Sequence, residues 1–332
     1  MVILDEIWRP IVGGILLSLA SSTNLYLKGR ITGFSGIFFG MITLKDYIWK
    51  LSFISGVLWI SNLFYAFSPS EKNFFDSHEN FMSDLSLIGF SISGFLVGVG
   101  TKLANGCTSG HGLCGLARLS RRSIVAVLVF LSFAIFSCTL RSNYPFLDSP
   151  DLLENSIYLD KEVFHYILTL LFTILLIVLL FKSYSQKDFV TFLDVLINFI
   201  TGSLMGLGLI ISGMNKRTKV RDFLNINAKT WDPTLMILLG VGVGLNLVFY
   251  FLVIKKMDKP ILDDKMGIPT NTKIDLPLVI GSAIFGIGWG WSGICPGPAL
   301  VNVFIYIPHV LLFSFCMAIG QVVINSASVL WT

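Results

Sequence analysis

The chain has 332 residues, 54% of them hydrophobic and only 13% charged, with a net charge of +4 and a mean hydropathy of +0.77. A water-soluble globule of this length cannot hide so much apolar surface, because much of any globule's surface faces water. The positive charge is spread over loops rather than gathered in a stripe, which argues against nucleic acid as a partner and leaves the lipid bilayer as the expected one.

The apolar residues fall in blocks long enough to cross about 30 Å of hydrocarbon as helices. Nine spans are predicted, at 10–27, 49–67, 85–103, 122–140, 162–182, 190–212, 233–254, 276–291 and 308–330. The first, from Ile11, runs into a loop without an A-x-A-like cut site, so no cleavable signal peptide is expected. The first, third and eighth are rich in Gly and Ser, which lets helices approach closely. Polar, acidic stretches separate spans around Ser68–Asp84 and Arg141–Lys161. A mixed, basic stretch, Lys255–Asp275, reads as a solvated loop. The expected class is an all-α integral membrane protein.

The chain also repeats itself. In the first half a Gly-rich span leads to KGRITGFSG (Lys28–Gly36), two further spans, and the break ANGCTSGHGLCGLARLSRRS (Ala104–Ser123). In the second half the corresponding pieces are SGMNKRTKVRDFLN (Ser212–Asn225) and WGWSGICPGPALVNV (Trp289–Val303), with Cys107 aligned on Cys295. The units are 1–141 and 190–332, joined over 142–189 by an acidic loop and one linker span. A single linker span brings the second unit in from the opposite face, an inverted repeat of the kind found in transporters. Loops on the N-terminal side carry nine of the 24 Lys and Arg residues and those on the other side fifteen. This predicts an external N-terminus and a cytoplasmic C-terminus in a plasma or bacterial inner membrane.

Non-helical backbone at membrane depth is tolerated only where protein or a water-filled cavity satisfies it. The prolines of Cys295–Pro296–Gly297–Pro298 stop an incoming helix and suit the first turn of a new one. The run Asn105–Gly106–Cys107–Thr108–Ser109–Gly110–His111 does the same with glycines and hydroxyls. Each break then presents a half-helix N-terminus, a ready anion site. A thiol there is a weak donor and a soft, polarisable surface suited to a terminal sulfur. A thiolate would repel an anion, so neutral thiols are expected.

The candidate substrate-contacting residues are Cys107, Cys295, Asn105, Gly106, Thr108, Ser109, Gly110, His111, Cys114, Pro296 and Gly297. Asn105, Thr108 and Ser109 line a polar path or satisfy the broken backbone. His111 donates to an anion or bonds a backbone carbonyl. Cys114 lines the path or packs, and Cys138 and Cys316 are small hydrophobes inside ordinary spans. Arg118, Arg121 and Arg122 read as positive-inside anchors. For Lys28, Arg30, Lys216 and Arg217, loop solvation is favoured over an electrostatic funnel. Trp289 and Trp291 read as packing or belt residues. Five cysteines, mostly in apolar segments, argue against a disulfide framework, and His111 with Cys114 supplies only two ligands, so no metal and no cofactor are expected.

These motifs resemble the YeeE/YedE family of sulfur-compound (thiosulfate) transporters. The first half is similar in NGCTSGHG, CGL, R and SRRS. The second, with SGM, KV, FL, WDP and GIGWGWSGICPGPAL, looks like a companion subunit that some bacteria encode separately, which would make this chain a fusion of two half-transporters. The resemblance implies an inverted-repeat, hourglass-shaped fold in which pore cysteines, here Cys107 and Cys295, pass thiosulfate along by S–H contacts. The family's thiosulfate transporters also use a cysteine in the first helical segment. This chain has none before Cys107, and Thr32 and Ser35 are the nearby candidates. The expected function is transport of thiosulfate or a related small sulfur-containing anion, with a cytosolic sulfur-carrier protein as a candidate partner. The alternatives are an anion or small-solute channel without thiol chemistry, and a sulfurtransfer or redox enzyme using Cys107, Cys114 or Cys295. No base, metal site or cofactor motif accompanies those thiols, so the protein is not expected to be an enzyme.

Overall fold

The computed structural model describes residues 7–67, 74–82, 84–146, 161–185 and 189–329. The acidic stretches predicted around Ser68–Asp84 and Arg141–Lys161 therefore lie partly outside the described residues. The described chain is helical throughout. In order, its helices are α1 (Trp8–Lys28), α2 (Phe34–Ile42), α3 (Tyr47–Phe67), α4 (His78–Met82), α5 (Leu87–Leu103), α6 (Thr108–Gly115), α7 (Arg121–Asn143), α8 (Lys161–Ser185), α9 (Phe189–Ser212), α10 (Arg217–Leu224), α11 (Thr234–Leu252), α12 (Leu276–Ser292), α13 (Pro296–Asn302) and α14 (His309–Val329). Among the described residues, eight helices are long and apolar enough to cross a membrane, and a ninth span forms if α5 and α6, bent by 45° at the break between them, are counted as one. The protein is an all-α membrane protein, and the predicted spans match these helices to within a few residues.

Lipid offers helices no hydrophobic drive to associate, so close packing of small residues has to hold the bundle. A Cβ added to Gly98 on α5 would lie 2.1 Å from the Met317 carbonyl of α14, and one added to Gly202 on α9 would lie 2.1 Å from the Phe53 carbonyl of α3. The main helix pairs are α1 with α9 and α11, α3 with α9, α5 with α12 and α14, and α7 with α12. Exchanging α1 with α9, α3 with α11, α5 with α12 and α7 with α14 maps this set of contacts onto itself. The helix-contact pattern is therefore symmetric between the first and second halves of the chain. Helix α8 stands outside the exchange, packing against α3 and α9 with most of its surface outward.

The stretch Lys255–Asp275 is mostly exposed, as expected of a solvated loop, but it is not free. It is strapped to the end of α1 by backbone bonds from Ile261 to Tyr26, Leu262 to Leu27 and Gly267 to Gly29. The short helices α2, α6, α10 and α13 are too short to span, and they fill the interior between the long ones.

Candidate functional site

The two breaks share a backbone conformation residue by residue. Asn105 and Gly293 are the left-handed residues, with φ of 56° and 69°. Glycine takes this conformation freely and asparagine with modest strain. Two residues later Cys107 and Cys295 are both extended, at φ −132° and −110°, each at the N-cap of the next helix. The cap carbonyl of Cys107 accepts from His111 N–H at 2.8 Å, and that of Cys295 from Ala299 N–H at 3.0 Å. Helix α6 is a wide π-type turn, a rare geometry that is frequent at functional sites.

The breaks meet inside the protein. Thr108 Oγ1 donates to Cys295 Sγ at 3.4 Å, and Cys107 Sγ lies 3.3 Å from Ser109 Oγ. Cys107 and Cys295 are 1% and 3% exposed, so both thiols are withdrawn from bulk solvent and lipid. A third short helix arrives at the same place. The Phe34 N–H at the start of α2 donates to Ser109 Oγ at 3.0 Å, leaving the Ser109 hydroxyl proton free for the Cys107 sulfur. The Phe34 ring lies where a Cβ on Gly297 would sit, 2.9 Å away. Thr32, just before α2, is fully buried, and its hydroxyl has no hydrogen-bond partner in the structure. At the half-buried Gly110, an added Cβ would meet nothing within 4 Å.

The other sequence candidates divide. Thr108, Ser109 and Gly110 are half-buried at the junction, whereas Asn105 is exposed and serves the turn. Gly106 packs against the His111 ring. His111 braces the break from within: Nε2 lies 3.1 Å from the Ala104 carbonyl and Nδ1 lies 3.0 Å from Ser123 Oγ. A carbonyl only accepts, so Nε2 carries the proton and Nδ1 accepts from the serine. The second break offers fewer amides than an ordinary helix start. Pro296 and Pro298 have no N–H, and the Gly297 N–H lies against the Cys295 sulfur. That break presents sulfur more than backbone donors. Cys114 is buried, with the Thr32 backbone N–H against its sulfur. Cys138 is buried within α7 and Cys316 half-buried within α14.

Two expectations are corrected. Lys28 and Arg217 are not solvated loop residues, each being 3% exposed. Lys28 Nζ donates to the Leu262 carbonyl at 3.0 Å and lies 3.6 Å from Asp194. Arg217 reaches from α10 to the second break, with Nε donating to the Ser292 carbonyl at 2.5 Å and Nη1 to the Phe81 carbonyl at 2.7 Å. It also pairs with Asp84, which Arg221 and Arg141 approach as well. Trp289 is a packing residue, 2% exposed and stacked on Phe285.

Interrupted helices that meet inside a bundle with eight or nine candidate spans among the described residues define a polytopic membrane protein. Residues 193–329 match a family of unknown function, DUF6691. Two proteins of Xylella fastidiosa strain Temecula1, each named "Probable transporter", are similar to this chain. One is 38% identical over 122 residues, 37% of this chain and 82% of the relative. The other is 36% identical over 141 residues, 42% of this chain and 99% of the relative. The chain belongs to the family of these Xylella proteins, and it is more than twice as long as either.

Proposed function

We propose that the protein is a transporter that carries thiosulfate or a related small sulfur-containing anion across the membrane, with Cys107 and Cys295 contacting the cargo. One observation carries this reading: two buried thiols, each at the cap of an interrupted helix, are joined through Thr108, next to the open position at Gly110. A neutral thiol gives a weak S–H donor and a polarisable face to a terminal sulfur, while the hydroxyls of Thr108 and Ser109 serve oxygens. Thr32, with its unpartnered buried hydroxyl, stands in for the cysteine missing from the first helical segment.

The likeness to the YeeE/YedE motifs and the names of the Xylella relatives favour the same reading. The short length of those relatives supports an origin by fusion of two half-transporters. The excess of Lys and Arg on the side away from the N-terminus supports a cytoplasmic C-terminus.

A thiol is a weak donor, and even hydrogen bonds to charged groups contribute only about 1.5–3 kcal/mol each, so the thiols select the cargo more than they stabilise its charge. The test is uptake of labelled thiosulfate by cells lacking other importers. Cys107→Ala and Cys295→Ala variants, present in the membrane at normal levels, are expected to lose most uptake. Full uptake by both would remove the thiols from the mechanism.

A further inference from the structure

A second cavity lies near the thiol junction, between α1, α6 and α11. It is a narrow, half-open pocket with about 20 Å³ of enclosed space, and its walls include Ser22, Cys114, Arg118, Asn246 and Tyr250. This is too small for a large organic solute, so an ion bound here would sit at the open side of the pocket. The Arg118 Nε donates to the Cys114 carbonyl at 3.1 Å, which fixes the guanidinium at the cavity wall. Among the described residues no carboxylate pairs with it. Its remaining N–H groups and the Tyr250 hydroxyl donate to no group among the described residues. Burial of Arg118 pulls its pKa below the ordinary value, although an arginine stays charged.

The opposite wall is held rigid. Asn246 Oδ1 accepts from Ser18 and Ser22 at 2.9 and 2.7 Å, while its Nδ2 donates to Ser21 Oγ at 2.9 Å. Ser21 passes its own proton to the Leu17 carbonyl at 2.8 Å. The cavity is also adjacent to the thiols. Its Cys114 sulfur touches the Thr32 backbone, and Thr32 leads directly into Gly33 and the start of α2 at the Cys107–Ser109 junction.

We propose that this cavity is a binding subsite for a tetrahedral oxyanion, with Arg118 and Tyr250 as the donors. The occupant is a free ion such as sulfate or thiosulfate, or the phosphate of a lipid headgroup. The charged fork supplies what the neutral thiols lack, a formal positive charge and a planar set of strong donors that can hold two oxygens at once. The subsite rests on the proposed function only for its role as a vestibule to the thiols. Anion binding there stands or falls separately.

Cys114 reports occupancy. Purified protein in detergent is treated with methyl methanethiosulfonate, and Cys114 modification is followed by peptide fragmentation, which separates it from Cys107. Sodium sulfate at ten times its dissociation constant is expected to slow modification about tenfold by simple occupancy, with sodium chloride at matched ionic strength having no such effect. Arg118→Gln should abolish the protection and Arg118→Lys should retain part of it. Protection by sulfate identifies a free ion. Protection by phosphatidylglycerol micelles alone identifies a headgroup and still supports the subsite. An unchanged rate with both probes in the protein with Arg118 intact overturns the proposal, as does a Cys114 that never reacts. Loss of uptake in the Cys107 and Cys295 variants without Cys114 protection removes the subsite and spares the transport reading, and the reverse result does the opposite.

Discussion

Replacing Arg217 with methionine tests how the second break is held. Methionine keeps an apolar stem of similar reach but leaves the Ser292 and Phe81 carbonyls without their donors. Removing one partner of a buried ion pair costs about 3–5 kcal/mol when the other charge is left alone. Here Asp84 retains Arg221, with Arg141 at 3.7 Å, so the upper end does not apply. Two lost bonds from an ionised donor, at about 1.5–3 kcal/mol each, set the scale instead, and the expected loss is about 3–6 kcal/mol. Ser292 and Gly293 lead directly into Cys295, so the break should loosen together with the fold. Thermal unfolding in detergent should show a clearly lowered transition, and Cys295 should react faster with a small thiol reagent below that transition. Arg217→Lys should recover part of the loss, since it restores charge without the planar fork. A methionine variant with an unchanged transition and an inert Cys295 would refute this account of the break.

Other substitutions probe other links. Gly98→Ala drives a methyl group into the Met317 carbonyl, and overpacking of this kind costs about 1–3 kcal/mol, to be read as a lowered unfolding transition with the helix content kept. Gly110→Leu points into open space, so stability should hold while labelled thiosulfate uptake falls, and wild-type uptake would mean the path lies elsewhere. Burial opposes ionisation of Asp84, but the Arg217, Arg221 and Arg141 guanidiniums outweigh it and hold the carboxyl below its ordinary value of 3.8. The stability it contributes is therefore present above that ordinary value and is lost as pH falls through the depressed one. Unfolding midpoints measured across the acid range should show this loss in the natural chain and lack that increment in Asp84→Asn.

The spans were legible because lipid demands runs of about 20 apolar residues, a signal carried within each segment. The breaks were legible for a related reason, as Gly, Pro and Asn mark where a helix cannot continue. What local patterns could not supply were partners far along the chain. Lys28 and Arg217 look like loop charges until Asp194, Leu262, Asp84 and Ser292 fold against them. The arrival of α2 at the junction depends on a bond from Phe34 to Ser109, although the short run FSGIFFGMI, too brief to span, was a usable hint. The same holds for Arg118, which reads as an interfacial anchor until α1 and α11 enclose it. The overcount of amide donors at Cys295 was avoidable, since the two prolines stand in the sequence itself.

The most direct measurement is the position of a bound cargo analogue. Crystals grown with selenosulfate, whose terminal selenium replaces the outer sulfur of thiosulfate, would locate that atom by anomalous scattering. The account predicts a peak within contact distance of the Cys107 and Cys295 sulfurs, beside Thr108. Ordered selenium found only on lipid-facing or loop surfaces, with the thiol junction empty, would contradict it.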